Sequence, residues 1–506
     1  VESFGSNILI FLPVHPIPFL LYFYLGFTRM SNTSLQRRLK ARHVAMIAIG
    51  GSIGSGIFIA SGTAIHMAGP GGALLAYTVI SLMVYFLMTS LGEMSTLIPT
   101  TGSFCEYATR FVDPAFGFAM SYNYWINWAV TTAVDLSAAA LIMHTWFPAI
   151  SFSAWAAIFF GLIFLLNFVS VGLYGEMQYW FSGIKVVAVI LFVLVGIFVI
   201  FGLLGSQKPV DFSNWTVGDG PFHAGWVGFV GVMMIAGFSF QGTEIFGMTA
   251  GETKDPSVSI PKAVKSVFWR ILLFYILSMT VISFLIPYNN PLLITASTTN
   301  IGASPFTIVF QMAGLHFAQV TMTIVILLAV LSAANASMYT ATRTLWHIAQ
   351  EGNAPKFLSR TSSHGIPIYA LILSAIISTA VFLSSKVGEG QLFVWLLNIS
   401  SLTGFIAWFG IALCHYRFRR AYLAQGKKLS DLPYYSKGFP FGPLFALCLT
   451  ILVVIGQQFD AFILKQINID NLIGTYIGLP VFIALYLGYK WINKTKLIPL
   501  KSCRFN

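Results

Sequence analysis

The chain runs to 506 residues, 57% of them hydrophobic and only 9% charged, with a mean hydropathy of +0.80. Ordinary soluble domains carry about 25% charged residues, so the composition excludes a soluble globular enzyme or binding module. A net charge of +12 would suggest a nucleic-acid partner in a soluble chain, but here Lys and Arg collect between apolar runs, as membrane topology requires.

In chain order, the first apolar stretch, "NILIFLPVHPIPFLLYFYLGF", is broken by Pro13, Pro16 and Pro18 and has no basic residue before it. It therefore fits a secretory signal poorly, and as an extra span it would put the next segment on the wrong side. Met30 and the polar "SNTSLQRRLKARH" read as the start of a cytoplasmic tail. Residues 1–29 are thus expected to be an upstream extension, with an interfacial segment as the alternative, and 30–43 the N-terminal tail.

Twelve apolar segments follow, each long enough to cross a hydrocarbon core about 30 Å thick. Spans 1 to 6 are expected at 44–68, 72–97, 117–143, 153–171, 178–203 and 225–249. Spans 7 to 12 follow at 265–287, 316–345, 366–384, 391–415, 440–459 and 471–491. One set of connections holds nearly all the basic residues, from Arg37, Arg38, Lys40 and Arg42 to the cluster Arg417, Arg419 and Arg420; the other holds only Lys208, Lys386 and Lys465. That bias makes both termini cytoplasmic, with 492–506 as the C-terminal tail.

Span 1 contains "IGGSIGSGIFIASG" (residues 49–62), and span 6 contains "GFSFQGTE" (237–244). Glycine inside a helix costs roughly 1 kcal/mol relative to alanine, so both spans are expected to be broken there. Paired interruptions five spans apart mark an inverted repeat with a binding site at the interface of its halves. The expected fold is an all-α integral membrane protein of twelve transmembrane helices. Its 5+5 inverted repeat (LeuT-like) comprises 44–203 and 225–415, with spans 11 and 12 at 440–491 outside it.

Broken helices expose N–H groups on one side and C=O groups on the other, and such groups are tolerated in lipid only where they line a cavity. An α-amino acid matches both ends. Its carboxylate would meet the amides of Gly54, Ser55 and Gly56, near Ser52 and Ile53; its ammonium would meet carbonyls near Ile49 and Phe238, Ser239 and Phe240, with Gly242, Thr243 and Glu244 completing the second break. A dinucleotide loop is excluded, because the order is G-x-x-G-x-G and no βαβ unit surrounds it. Close packing of small residues is the bland alternative for a single patch.

Few ionisable residues fall within the spans, where each is costly. Glu244 could face a substrate ammonium, carry a proton or cap a helix. Asp135 in span 3 could contact substrate or serve polar packing. Glu93 in span 2 is expected to pair with a basic residue of a cytoplasmic connection. Lys185 in span 5 is deep enough to be desolvated, and a desolvated ammonium can lose and regain its proton; snorkelling to the headgroups is the alternative. Trp128, Phe238 and Phe240 are candidate gates, and Ser332 and Asn335 on span 8 are expected to bond neighbouring helices. Cys105, Cys414, Cys448 and Cys503 lack ligand spacing, so no metal, cofactor or disulfide framework is expected. No nucleophile–base pair can be localised, so no enzyme activity is expected.

The motifs "IAIGGSIGSGIFIASG", "AGPGGALLAY", "NYWINWAV", "GFSFQGTEIFGMTAGE", "DPSVSIPKAV" and "NISSLTGFIAW" resemble those of the amino acid–polyamine–organocation permeases. The resemblance runs from about Leu35 to Tyr489 and is strongest to the bacterial lysine-specific branch. It implies import of L-lysine with protons across the bacterial inner membrane. It also implies that Lys185 stands where sodium-coupled relatives hold an ion between spans 1 and 8. An acid at the position of Glu244 occurs even in permeases for neutral substrates, so it does not establish lysine selectivity. Exchange, another substrate such as arginine or an aromatic amino acid, a sensor role and a regulatory membrane-protein partner stay open.

Overall fold

The computed structural model describes residues 53–169, 171–205, 208–250, 255–296, 304–362, 365–457 and 469–505. The extension at 1–29, the tail at 30–43, Ile49 and Ser52 lie outside the described residues. Every element among the described residues is a helix. In lipid a spanning segment must satisfy its own backbone groups, and only helices do so one at a time. Among the described residues, eight helices are long and apolar enough to cross a membrane, or nine if Ile469–Tyr476 and Gly478–Asn493, bent by 52°, form one span. Two shorter apolar helices, Phe152–Phe168 and Phe441–Gly456, occupy spans 4 and 11.

Gly56–Leu97 is helical over 42 residues, about 63 Å if straight, twice the hydrocarbon thickness. It is not straight. Gly69 has φ +72° and is followed by Pro70, and a Cβ at Gly69 would stand 2.7 Å from the Pro221 carbonyl oxygen. Gly56 lies beside Ser239, Gly71 donates its N–H to Pro221 O at 3.0 Å, and Tyr77 Oη is again 3.0 Å from Ser239 Oγ. The chain therefore climbs along the helix Gly225–Phe240, reverses at Gly69 and returns. Spans 1 and 2 are the two arms.

The break in span 6 is shorter than expected. Gly225–Phe240 is continuous through Gly237, and only Gln241, Gly242, Thr243 and Glu244 leave the helix before Ile245–Thr249. Gly237 stays helical, and the Phe405 ring packs where a Cβ would be, which calls for glycine there. Gly242, at φ +90°, makes the turn. In span 1 the chain is irregular at Ile53 and Gly54, then enters a π-helical turn over Gly56–Ala60.

Span 3, Pro114–Trp146, sits at the centre, with 89% of its apolar window buried. Asp113 caps it, accepting from Ala115 N at 2.9 Å. Span 7 begins earlier than expected, since Pro256–Leu285 is continuous and Arg270 is buried within it. Span 10 runs on to Ala424, so Arg419 belongs to a helix and not to a connection. There Arg419 Nε donates to Glu93 Oε1 at 2.7 Å and its Nη2 to Oε2, while Ser436 N–H donates to Oε2 at 2.6 Å.

Candidate functional site

Trp128, Thr131 and Asp135 recur on one face of span 3 and meet the two breaks. Asp135 is buried, and its Oδ1 accepts from Ser55 Oγ at 2.6 Å. The hydroxyl beside the break of span 1 is thus held by the protein's own carboxylate. Gly54 and Gly56 flank it without side chains, Gly56 so close that a Cβ would lie 2.5 Å from Ser239 Cα. Between Gly54, Ser55, Gly56, Asp135, Phe238 and Ser239 is a cavity of about 30 Å³, room for about two waters. Gln241 of the second break and Ala333 and Ser337 of span 8 also border it.

Other expected site residues stand elsewhere. Phe240 turns away to pack on Tyr275, ring centroids 4.0 Å apart. Ile53 is buried in the core. The carbonyl of Phe238 accepts from Gln241 N at 3.2 Å, and that of Phe240 from Thr243 N and Oγ1. Glu244 is boxed in: Oε1 accepts from Gly242 N at 3.3 Å and Tyr124 Oη at 3.4 Å, and Oε2 from Trp408 Nε1 at 3.3 Å. The charge of Arg270 acts on it as well. Glu244 therefore braces the second break and does not border the cavity.

Lys185 is 0% exposed, which rules out snorkelling, and its charge interacts with that of Asp135. Ser332 and Asn335 bond other helices as expected, Ser332 Oγ to Gln178 Oε1 at 3.1 Å and Asn335 Oδ1 to Asn167 Nδ2 at 2.8 Å.

One polar cluster escaped the sequence reading. Gln241 Nε2 donates to Ser400 O at 2.8 Å, Ser400 Oγ is 2.6 Å from Thr131 Oγ1, and Thr403 Oγ1 donates to Asn127 Oδ1 at 2.9 Å. It ties the second break to spans 3 and 10. Its signal was present as polar residues inside the apolar runs "NYWINWAV" and "NISSLTG".

A polytopic helical bundle whose two interrupted spans meet at a small cavity of mixed polar and apolar lining has the architecture of a membrane carrier. The amino acid permease family matches residues 43–500, and the chain belongs to it. The chain is 51% identical over 471 residues to the lysine-specific permease of Escherichia coli, covering 93% of this chain and 96% of that protein. It is 50% identical to the lysine-specific permease of Lactococcus lactis, over 93% of each chain. It is also 50% identical to the histidine permease of the same species, over 93% of this chain and 98% of that one.

Proposed function

We propose that this amino acid permease imports L-lysine together with a proton across the bacterial inner membrane, with both termini cytoplasmic. The observation that carries the coupling is the buried acid–base pair at the first break. Asp135 holds Ser55, and Lys185, on a different span, interacts with the Asp135 charge from full burial. Proton movement at this pair changes the charge that fastens span 1 to span 3. Lysine as the substrate is supported by the two lysine-specific relatives at 51% and 50% identity.

In this reading the substrate carboxylate uses the amides of Gly54, Ser55 and Gly56, while Asp135 holds the Ser55 hydroxyl. Small-molecule pockets run to roughly 300 Å³ or more, so the 30 Å³ cavity must open for each turnover, as alternating access requires. Lysine and one proton carry two charges inward, worth ~4.6 kcal/mol per 100 mV, which is over a thousand-fold of accumulation.

A second reading, histidine as substrate, is favoured by the equally similar histidine permease. Uptake of labelled lysine into proteoliposomes, competed by each of the twenty amino acids, decides between them. Lysine outcompeting histidine supports the first reading, and the reverse order supports the second. Absence of counterflow would point to a receptor and overturn both.

A further inference from the structure

Span 5 carries Gln178, Ser182 and Lys185 at i, i+4 and i+7, one stripe of the helix rising about 10 Å. All three are 0% exposed, whereas Trp180, Val187 and Leu191 on other faces are open to the lipid side. The stripe faces span 8, where Ser332 Oγ donates to Gln178 Oε1. One turn further along span 8, Asn335 Oδ1 accepts from Asn167 Nδ2 of span 4. Asn167 is half-buried in the last turn of its helix, at the end that the charge bias assigns to the cytoplasm.

Helix packing accounts for the acceptors in this stripe but not for its donors. Gln178 Nε2, Ser182 Oγ and Asn335 Nδ2 are buried and have no hydrogen-bond partner among the described residues. Buried polar groups without protein partners are normally satisfied by ordered water, and leaving them unsatisfied is costly. The three atoms follow one another from Lys185 toward Asn167. The amino acid's cavity is bordered by a different face of span 8, that of Ala333 and Ser337. Span 8 therefore stands between the cavity and this stripe.

We propose that spans 4, 5 and 8 hold a file of buried water that carries the proton between Lys185 and the cytoplasmic surface, apart from the route of the amino acid. The inference rests on Lys185 as the proton carrier. In each transfer an Nζ–H bond of the charged Lys185 breaks, a water of the file takes that proton, and the water passes one of its own onward. Lys185 is left neutral until a proton from the cavity side recharges it. The acids bordering the route are Asp135 at its inner end and Glu176, half-buried two residues before Gln178.

The test compares proton movement with exchange in the full-length protein. Lysine-driven proton entry into proteoliposomes is followed with an internal pH dye, alongside lysine counterflow and equilibrium binding. Counterflow needs no proton release, so it reports the carrier without the file. Gln178→Leu is expected to slow lysine-driven proton entry about tenfold or more while counterflow and affinity stay at the parent's values. Gln178→Glu, which can itself relay a proton, should restore most of the rate, and Ser182→Ala should act in the same direction with less effect. If Gln178→Leu is not monodisperse, Ser182→Ala decides by the same comparison. Proton entry and counterflow falling together would make the stripe a packing contact, and neither changing would remove the file. If the parent itself shows no lysine-driven proton entry, the symport reading fails, and the file falls with it.

Discussion

Gly56 and Lys185 are the residues on which the site depends most directly. A methyl at Gly56 would meet the Cα of Ser239 at 2.5 Å, and backbone cannot yield as a side chain can. Gly56→Ala is therefore expected to destabilise the protein by about 1–3 kcal/mol and to weaken lysine binding, read by thermal melting and equilibrium binding in detergent. Gly54→Ala should be milder, since its Cβ meets only the Ala333 methyl at 3.1 Å. Lys185→Ala removes the cation that interacts with Asp135. We expect lysine accumulation against an imposed pH gradient to be lost while equilibrium binding persists. Accumulation with the parent's pH dependence would move the proton to Asp135 or Glu244. The glycines and Lys185 were legible in the sequence because each violates a local rule, helix propensity or membrane polarity. The direction of Phe240 was not, since its neighbours in sequence do not determine which way the ring packs.

Among the elements, spans 2 and 10 are joined by the strongest buried ionic contact described. Glu93 and Arg419 are both buried, and His415 Nε2 lies 3.2 Å from the same carboxylate. Removing one partner strands the other without compensation, at a cost of about 3–5 kcal/mol. Glu93→Gln should therefore lower the melting temperature sharply, whereas Glu93→Leu combined with Arg419→Met should recover much of the loss. Unchanged melting of Glu93→Gln would mean that the pair contributes nothing to stability. The pairing of Glu93 with a basic residue was readable from its depth and sign. That the partner rides on a helix was not, because the continuation of span 10 through "RFRRAYLA" is stabilised by contacts, not hydropathy. Phe418, for example, packs edge-to-face within this stretch against Phe111 and Phe505.

At the scale of the whole molecule, the connection before span 6 is fastened to the end of span 7. Asp219 Oδ1 accepts from Tyr288 Oη at 2.7 Å and lies 2.7 Å from His223 Nδ1. These hydrogen bonds, with the Tyr288 bond the larger, hold the Asp219 carboxyl down at about 2. A depressed carboxylate keeps its bonds above its ordinary range and loses them only as pH falls through the lowered value. With His223→Gln in both, transport with Asp219 and with Asp219→Asn should therefore keep a constant ratio between about pH 5 and 8, measured as uptake rate against pH. A ratio that drifts in that window would assign its titration elsewhere. Lysine uptake should also be electrogenic, carrying two inward charges per lysine, as the shift of reversal potential with lysine and proton gradients would report. One charge per lysine would reject proton symport.

Lipid is a demanding solvent, and its demands act locally. Apolar length, helix-breaking glycines and the asymmetry of basic connections were therefore written into the sequence itself, and with them the membrane class, most span positions and the two breaks. The structure decided what those breaks are bonded to. Ser55 and Asp135 stand eighty positions apart, Glu93 and Arg419 more than three hundred, and no local period encodes either pairing. Gly237 is a helical packing glycine, its side-chain space taken by Phe405, and Glu244 is braced because Tyr124 and Trp408 converge on it. Propensity and hydropathy are properties of neighbours in sequence. The partners of a buried polar group are neighbours in space, and only the packed bundle brings them together.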